Sequence, residues 1–167
     1  MQIHHLTLPL DANIRKTLSR GDKVLFSGTL YTARDRTHQL LIDLLTQGQQ
    51  LPLDFSAAAL FYCGPSPTPP GRICGAIGPT TSARMDPFTP ALLQAGLRVM
   101  IGKGPRSVEV ERAIREYEAL YLVCVGGISA LLSQTVVSCE TYLWPELGSE
   151  AVHKLVVRNL PCYVSIV

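Results

Sequence analysis

No stretch of this chain reaches about eighteen consecutive apolar residues, so no bilayer-spanning helix is expected. The opening, Met1 to Leu10, has no cationic run ahead of an apolar core and no small-residue cleavage site, so no secretory leader is expected either. Charge of one sign is scarce. Fifteen basic against 13 acidic residues leave a net +2, and the 7% of aromatics are not interleaved with Lys or Arg. A nucleic-acid partner is therefore not expected. Paired cysteine motifs are missing too. The five cysteines (Cys63, Cys74, Cys124, Cys139, Cys162) are odd in number and none sits at CxxC spacing. They read as core thiols of a reducing, cytoplasmic compartment, with neither a disulfide frame nor a metal site of their own. Among the four histidines, His4 and His5 fall in what reads as an irregular N-terminus and His153 in a late polar stretch. The histidines read as surface residues; His38, on the first predicted helix four residues after Arg34, is the one to test as a group that supports a site from behind. None has a Ser/Asp or Cys/Asp partner at recognisable spacing, so a hydrolase triad has no support. No carboxylate pair is set up for general acid–base work.

What is present is a chain of 167 residues, 47% hydrophobic and 17% charged, able to bury a core and expected to form one domain over residues 1–167. Glycine and proline punctuate it. Lys23 to Ser27 reads as a strand ended by Gly28. Asp35 to Gln47 has Leu40, Leu41, Leu44 and Leu45 at helical spacing, with Gly48 to stop it. Ala57 to Tyr62 has strand length, and the proline-rich loop 63–71 follows. Ile73 to Ile77 reads as a short strand, Phe88 to Ala95 as a helix and Leu97 to Ile101 as a strand. Ser107 opens an amphipathic helix whose inner stripe is Val110, Ala113, Ile114 and Tyr117. Leu120 to Val125, Ser138 to Leu143, Leu155 to Val157 and Cys162 to Val167 complete the strands, with a helical turn at Ile128 to Leu132. Wholly apolar strands among helices imply an α/β fold whose mixed sheet is covered by helices.

The chemistry-bearing groups lie in loops. Arg34, just ahead of the first helix, presents a planar fork suited to a carboxylate or phosphate; the plainer alternative is a surface pair with Asp35 or Asp43. Gly78-Pro79-Thr80-Thr81-Ser82-Ala83-Arg84-Met85-Asp86-Pro87 brings hydroxyls and a guanidinium together, as a hydroxylated dicarboxylate would require. A helix cap accounts for one of these residues but not for five in a row. Lys103, in Gly102-Lys103-Gly104, follows another strand, without the glycine and serine spacing of a phosphate-binding loop. Three cations thus follow three strands, and if they converge they form a receptor for a small dianion.

These loops, in this order and with 125–127 and 130–132 after them, resemble the β-subunit or C-terminal domain of class I (iron–sulfur) fumarate hydratases and L-tartrate dehydratases. The resemblance runs from about Gly21 to the C-terminus, and 78–87 is its most specific part. It implies a swivelling β/β/α domain and a hydro-lyase, most simply one interconverting fumarate and L-malate in the tricarboxylic acid cycle. It also implies a [4Fe-4S] cluster ligated by an α-subunit and not by this chain, an α2β2 assembly, and no activity without that partner. By the same resemblance Arg34, Thr81, Arg84 and Lys103 would bind substrate, and Thr80 would bind it and carry the proton. A threonine in that role needs cationic neighbours. The alternatives are an L-tartrate dehydratase β-subunit and a non-catalytic dicarboxylate-binding or assembly module.

Overall fold

The computed structural model describes residues 2–167. Five parallel strands form its centre: β1 (Ile3–Thr7), β2 (Lys23–Thr32), β3 (Ala58–Phe61), β4 (Val99–Gly102) and β5 (Leu120–Val123), paired in that order. Two further strands run antiparallel, β6 (Val136–Leu143) and the 15-residue β7 (Val152–Ile166). Because β7 bonds to β5 through its C-terminal half and to β2 along most of its length, β2, β3, β4, β5 and β7 close into a ring. Closure leaves those strands without a free hydrogen-bonding edge.

Residue alternation explains why β3, β4 and β5 are apolar throughout. Ala59, Phe61, Val99, Ile101, Leu120 and Leu122 point into the ring, against Leu155, Leu160 and Val164 of β7. Ala58, Leu60, Met100 and Tyr121 point the other way, onto the helices. Those are α2 (Asp35–Thr46), α3 (Thr89–Gln94) and α4 (Val108–Glu116), which contribute Leu41, Leu92, Leu93, Val110 and Ile114; α1 (Ala12–Arg15) and α5 (Ser129–Leu132) are single turns. The order of layers is helices, parallel strands, antiparallel strands. No helix among the described residues is long and apolar enough to cross a membrane.

Five expectations are corrected. Gly28 does not end β2, and Leu155–Val157 and Cys162–Val167 are not separate strands. A bulge joins both cases: between Phe26 and Gly28 the register with β7 shifts by one residue, with Asn159 at φ 56° and its amide donating to Ser27 Oγ at 3.0 Å. Polar Arg158-Asn159 and Pro161 looked like a break but sit within one bent strand. Residues 73–77 form no strand. Their neighbouring loop is proline-rich and short of ladder donors, and Gly75 lies against the Ser66 carbonyl with no room for a Cβ. His4 and His5 lie in β1, paired with Val24 and Leu25, and His4 Nε2 sits 3.1 Å from Asp22 Oδ2. His38 is fully buried rather than at the surface.

Candidate functional site

Parallel strands bring their C-terminal ends to one rim, and crevices at that rim are where such sheets bind ligands. Arg34 leaves β2 there and is the N-cap of α2, with φ −124° and ψ −165°. Its amide donates to Thr37 Oγ1 at 2.9 Å, which returns a bond to the Arg34 carbonyl at 3.0 Å. The side chain lies across the end of β3, where Gly64 is required: a Cβ would sit 2.8 Å from Arg34 Cδ.

The long crossover from β3 to β4 is stitched back onto the same rim. Cys63 bridges Pro79, the Thr80 amide donates to the Tyr62 carbonyl at 2.7 Å, and Thr81 bridges Lys103 at the end of β4. Contrary to the expectation that each cation follows its own strand, Arg84 follows none: it lies in the 3₁₀ turn Ser82–Met85 and pairs with Asp35 Oδ2 at the start of α2. Arg34 and Arg84 line one open cleft with Asp35, Arg36, Gln39, Phe88, Ser149 and Glu150. Thr80, Thr81 and Lys103 lie along the adjoining rim, connected to that cleft through the 79–85 turn, and their side chains do not line it.

What these five side chains lack is as informative as where they lie. Among the described residues neither the Thr80 nor the Thr81 hydroxyl has a hydrogen bond, and Lys103 and Arg34 have no ion pair. Arg34 Nε is buried without a partner. Buried donors are normally satisfied, so an orphan at a cleft marks a group that a ligand or water completes. The remaining polar residues of the same turn are occupied. Ser82 Oγ accepts from the Lys103 amide at 3.0 Å, and the Asp86 carboxylate accepts from the Ser107 amide at 2.7 Å, ahead of α4. The row of polar residues thus divides into inner members that pin the loop and outer ones left free. From sequence, Asp35 reads as a pair partner of Arg34 rather than of Arg84, and Ser82 and Asp86 read as members of the polar row or a cap rather than as its inner attachments. The Tyr121 hydroxyl, inside an apolar run and in need of a partner, was the available signal: it lies 2.8 Å from Ser82 Oγ.

His38 supports Arg34 from below. Its Nδ1 lies 2.8 Å from the Arg34 carbonyl, which makes it the donor and leaves Nε2 unprotonated, buried and unpartnered. Burial is the main reason its pKa falls, to about 4. The folded state holds it neutral while the unfolded chain protonates near its ordinary 6.5. This contribution to stability is therefore complete above pH 6.5 and declines as pH falls toward 4, by up to roughly 3 kcal/mol. The melting temperature should drop through that window, and a His38→Asn variant, which keeps a donor for the carbonyl, should lose that part of the slope. An unchanged slope would show that another group sets it.

The thiols do not resemble a cluster site. Among the described residues no three His, Cys, Asp or Glu side chains gather as a metal would need. Cys63, Cys74, Cys124 and Cys162 are buried, and burial pushes the Cys63 thiol up to about 12, the reverse of what thiolate ligation asks. The donor set of this chain does not fit a resident iron–sulfur cluster.

Comparison with known proteins bears on the same rim. The family model described as "Fumarase C-terminus" matches residues 4–167. Fumarate hydratase 2 of Leishmania major is 35% identical over 167 residues, covering 96% of this chain and 29% of that protein. The aerobic class I fumarate hydratase of Escherichia coli is 35% identical over 146 residues, 86% of this chain and 27% of its own length. The putative L(+)-tartrate dehydratase subunit beta of Methanocaldococcus jannaschii is 35% identical over 149 residues, 86% of this chain and 76% of that subunit. This chain thus spans under a third of the fumarate hydratases and about three quarters of the tartrate dehydratase subunit. With the family match running through β1 to β7, including every loop of the rim, the chain belongs to the fumarase C-terminus family.

Proposed function

We propose that this chain is the carboxylate-gripping component of a hydro-lyase that interconverts fumarate and L-malate. The observation that carries the reading is the set of cations and hydroxyls that are unpaired at one rim among the described residues: Arg34, Thr80, Thr81 and Lys103, with Arg84 paired to Asp35 at the surface. Two guanidinium forks and an ammonium match the two carboxylates of a four-carbon diacid. A substrate carboxylate would compete with Asp35 for Arg84. Thr81 would orient the substrate. Thr80, its amide fixed on Tyr62, would act as its alkoxide, held in that form by cationic neighbours: it would take the C3 proton during dehydration, becoming the hydroxyl, and return it during hydration. Activation of the departing hydroxyl falls outside this chain, to an α-partner that would carry the [4Fe-4S] cluster in a heterooligomer such as α2β2. The family membership and the poor fit of these thiols to a cluster support that division.

The experiment is anaerobic co-expression with the partner, followed by hydration assays on fumarate and dehydration assays on malate. Turnover by the assembly and none by the isolated chain is expected. Turnover by the isolated, iron-free chain would refute the division of labour. A second reading, an L-tartrate dehydratase β-subunit, is favoured by the 76% and 71% coverage of two beta subunits. Assaying L-tartrate in parallel decides between them. A dicarboxylate-binding or assembly module would bind diacids without turning over any of the three.

A further inference from the structure

We propose that Arg106 is a positioning residue, one that fixes the turn carrying Thr80, Thr81 and Arg84 against the loop carrying Lys103. The proposal rests on the reading of this rim as a dicarboxylate receptor. Arg106 itself touches no part of the cleft. Its side chain is fully buried, which is costly for a cation unless every donor is used. Nε donates to Asp86 Oδ1 at 2.6 Å, Nη2 donates to Thr89 Oγ1 at 2.7 Å, and Nη1 lies 4.0 Å from Met100 Sδ. The guanidinium carbon sits 5.2 Å from the centre of the Tyr62 ring and 4.9 Å from that of Tyr121.

The neighbouring bonds show what this arrangement holds. The second Asp86 oxygen accepts from the Ser107 amide at 2.7 Å, so the downstream end of the 80–86 turn is tied to the start of α4. At the upstream end Tyr121 Oη lies 2.8 Å from both Ser82 Oγ and the Gly104 carbonyl, and Ser82 Oγ accepts from the Lys103 amide. The two loops are joined at both ends, with Arg84 between the joins and Lys103 at one of them. Tyr121 spans both attachments: its hydroxyl serves the Ser82 join and its ring lies against Arg106. A lysine could supply the charge but not three contacts in fixed directions within one plane.

The test uses the enzyme assembled with its α-partner. Arg106→Lys should lower kcat/KM for the dicarboxylate at least tenfold, mainly through KM, because the groups displaced are those that grip carboxylates. Competitive inhibition by succinate should weaken in parallel and inhibition by propionate, which has one carboxylate, much less; a general loss of stability would not separate the two. Tyr121→Phe removes one hydroxyl and should move the same quantities in the same direction by a few-fold, which keeps the question answerable if Arg106→Lys does not fold. A folded Arg106→Lys assembly with kcat/KM within twofold of wild type, or with equal weakening toward both inhibitors, would overturn the proposal. So would an inert Tyr121→Phe if it is the only variant that folds. Absence of turnover by the wild-type assembly on fumarate, malate and tartrate would instead overturn the reading of the site, and the proposal with it.

Discussion

Replacing Arg84 by alanine should cost the assembled enzyme on the order of 10²–10³-fold in kcat/KM while moving the melting temperature by only a few degrees. The two halves of that expectation have separate causes. The side chain is half exposed and its bond to Asp35 is a surface ion pair, a class worth about 0–1 kcal/mol to stability. Against a bound substrate the same group would face a desolvated carboxylate, where removing one partner of a charge pair costs about 2–5 kcal/mol. Steady-state kinetics beside a thermal melt of the same preparation separates them. A variant that melts early and turns over normally would assign Arg84 to the fold instead.

Gly102→Ala should do the opposite and damage fold and site together. Gly102 closes β4 with its Cα against the 80–86 turn; a methyl group there would overlap Ser82 Oγ and come within 2.7 Å of Tyr62 Cδ2. Ser82 Oγ holds the Lys103 amide, so moving it releases the Thr81–Lys103 bridge. Overpacking costs about 1–3 kcal/mol and an unmade buried hydrogen bond about 1–3 more. A loss of roughly 2–6 kcal/mol by denaturant titration is expected, with a large fall in activity. Gly126→Ala is the control, since its Cβ would meet only Lys103 Cδ at 3.8 Å and should stay within about 0.5 kcal/mol of wild type.

Much of this was legible in the sequence wherever one local rule acted alone. Helical spacing of Leu40, Leu41, Leu44 and Leu45 found α2, and Ser107 does open α4, as its N-cap, its hydroxyl accepting from the Val110 amide at 3.2 Å. The unbroken apolar runs of β3, β4 and β5 correctly implied cover on both faces. Reading failed where a distant partner decided the outcome. β7 crosses its bulge because β2 accepts the extra residue, and β1 is a strand because Lys23–Ser27 offers it an edge. The rim was half legible. Free hydroxyls and cations stand out by type, and they do lie along one edge. Asp35 as the partner of Arg84, and the inner attachments of Ser82 and Asp86, depend on contacts 20 or more residues apart that no local spacing encodes.

The claim on which the rest depends is that this rim takes up a small dianion. An amide-resolved NMR titration of the ¹⁵N-labelled chain with fumarate, with acetate as the single-charge comparison, measures that directly. The expected result is saturable shifts at residues 34–35, 64, 80–84 and 103, stronger for fumarate than for acetate. Shifts confined to other loops, or identical for the two anions, would contradict it.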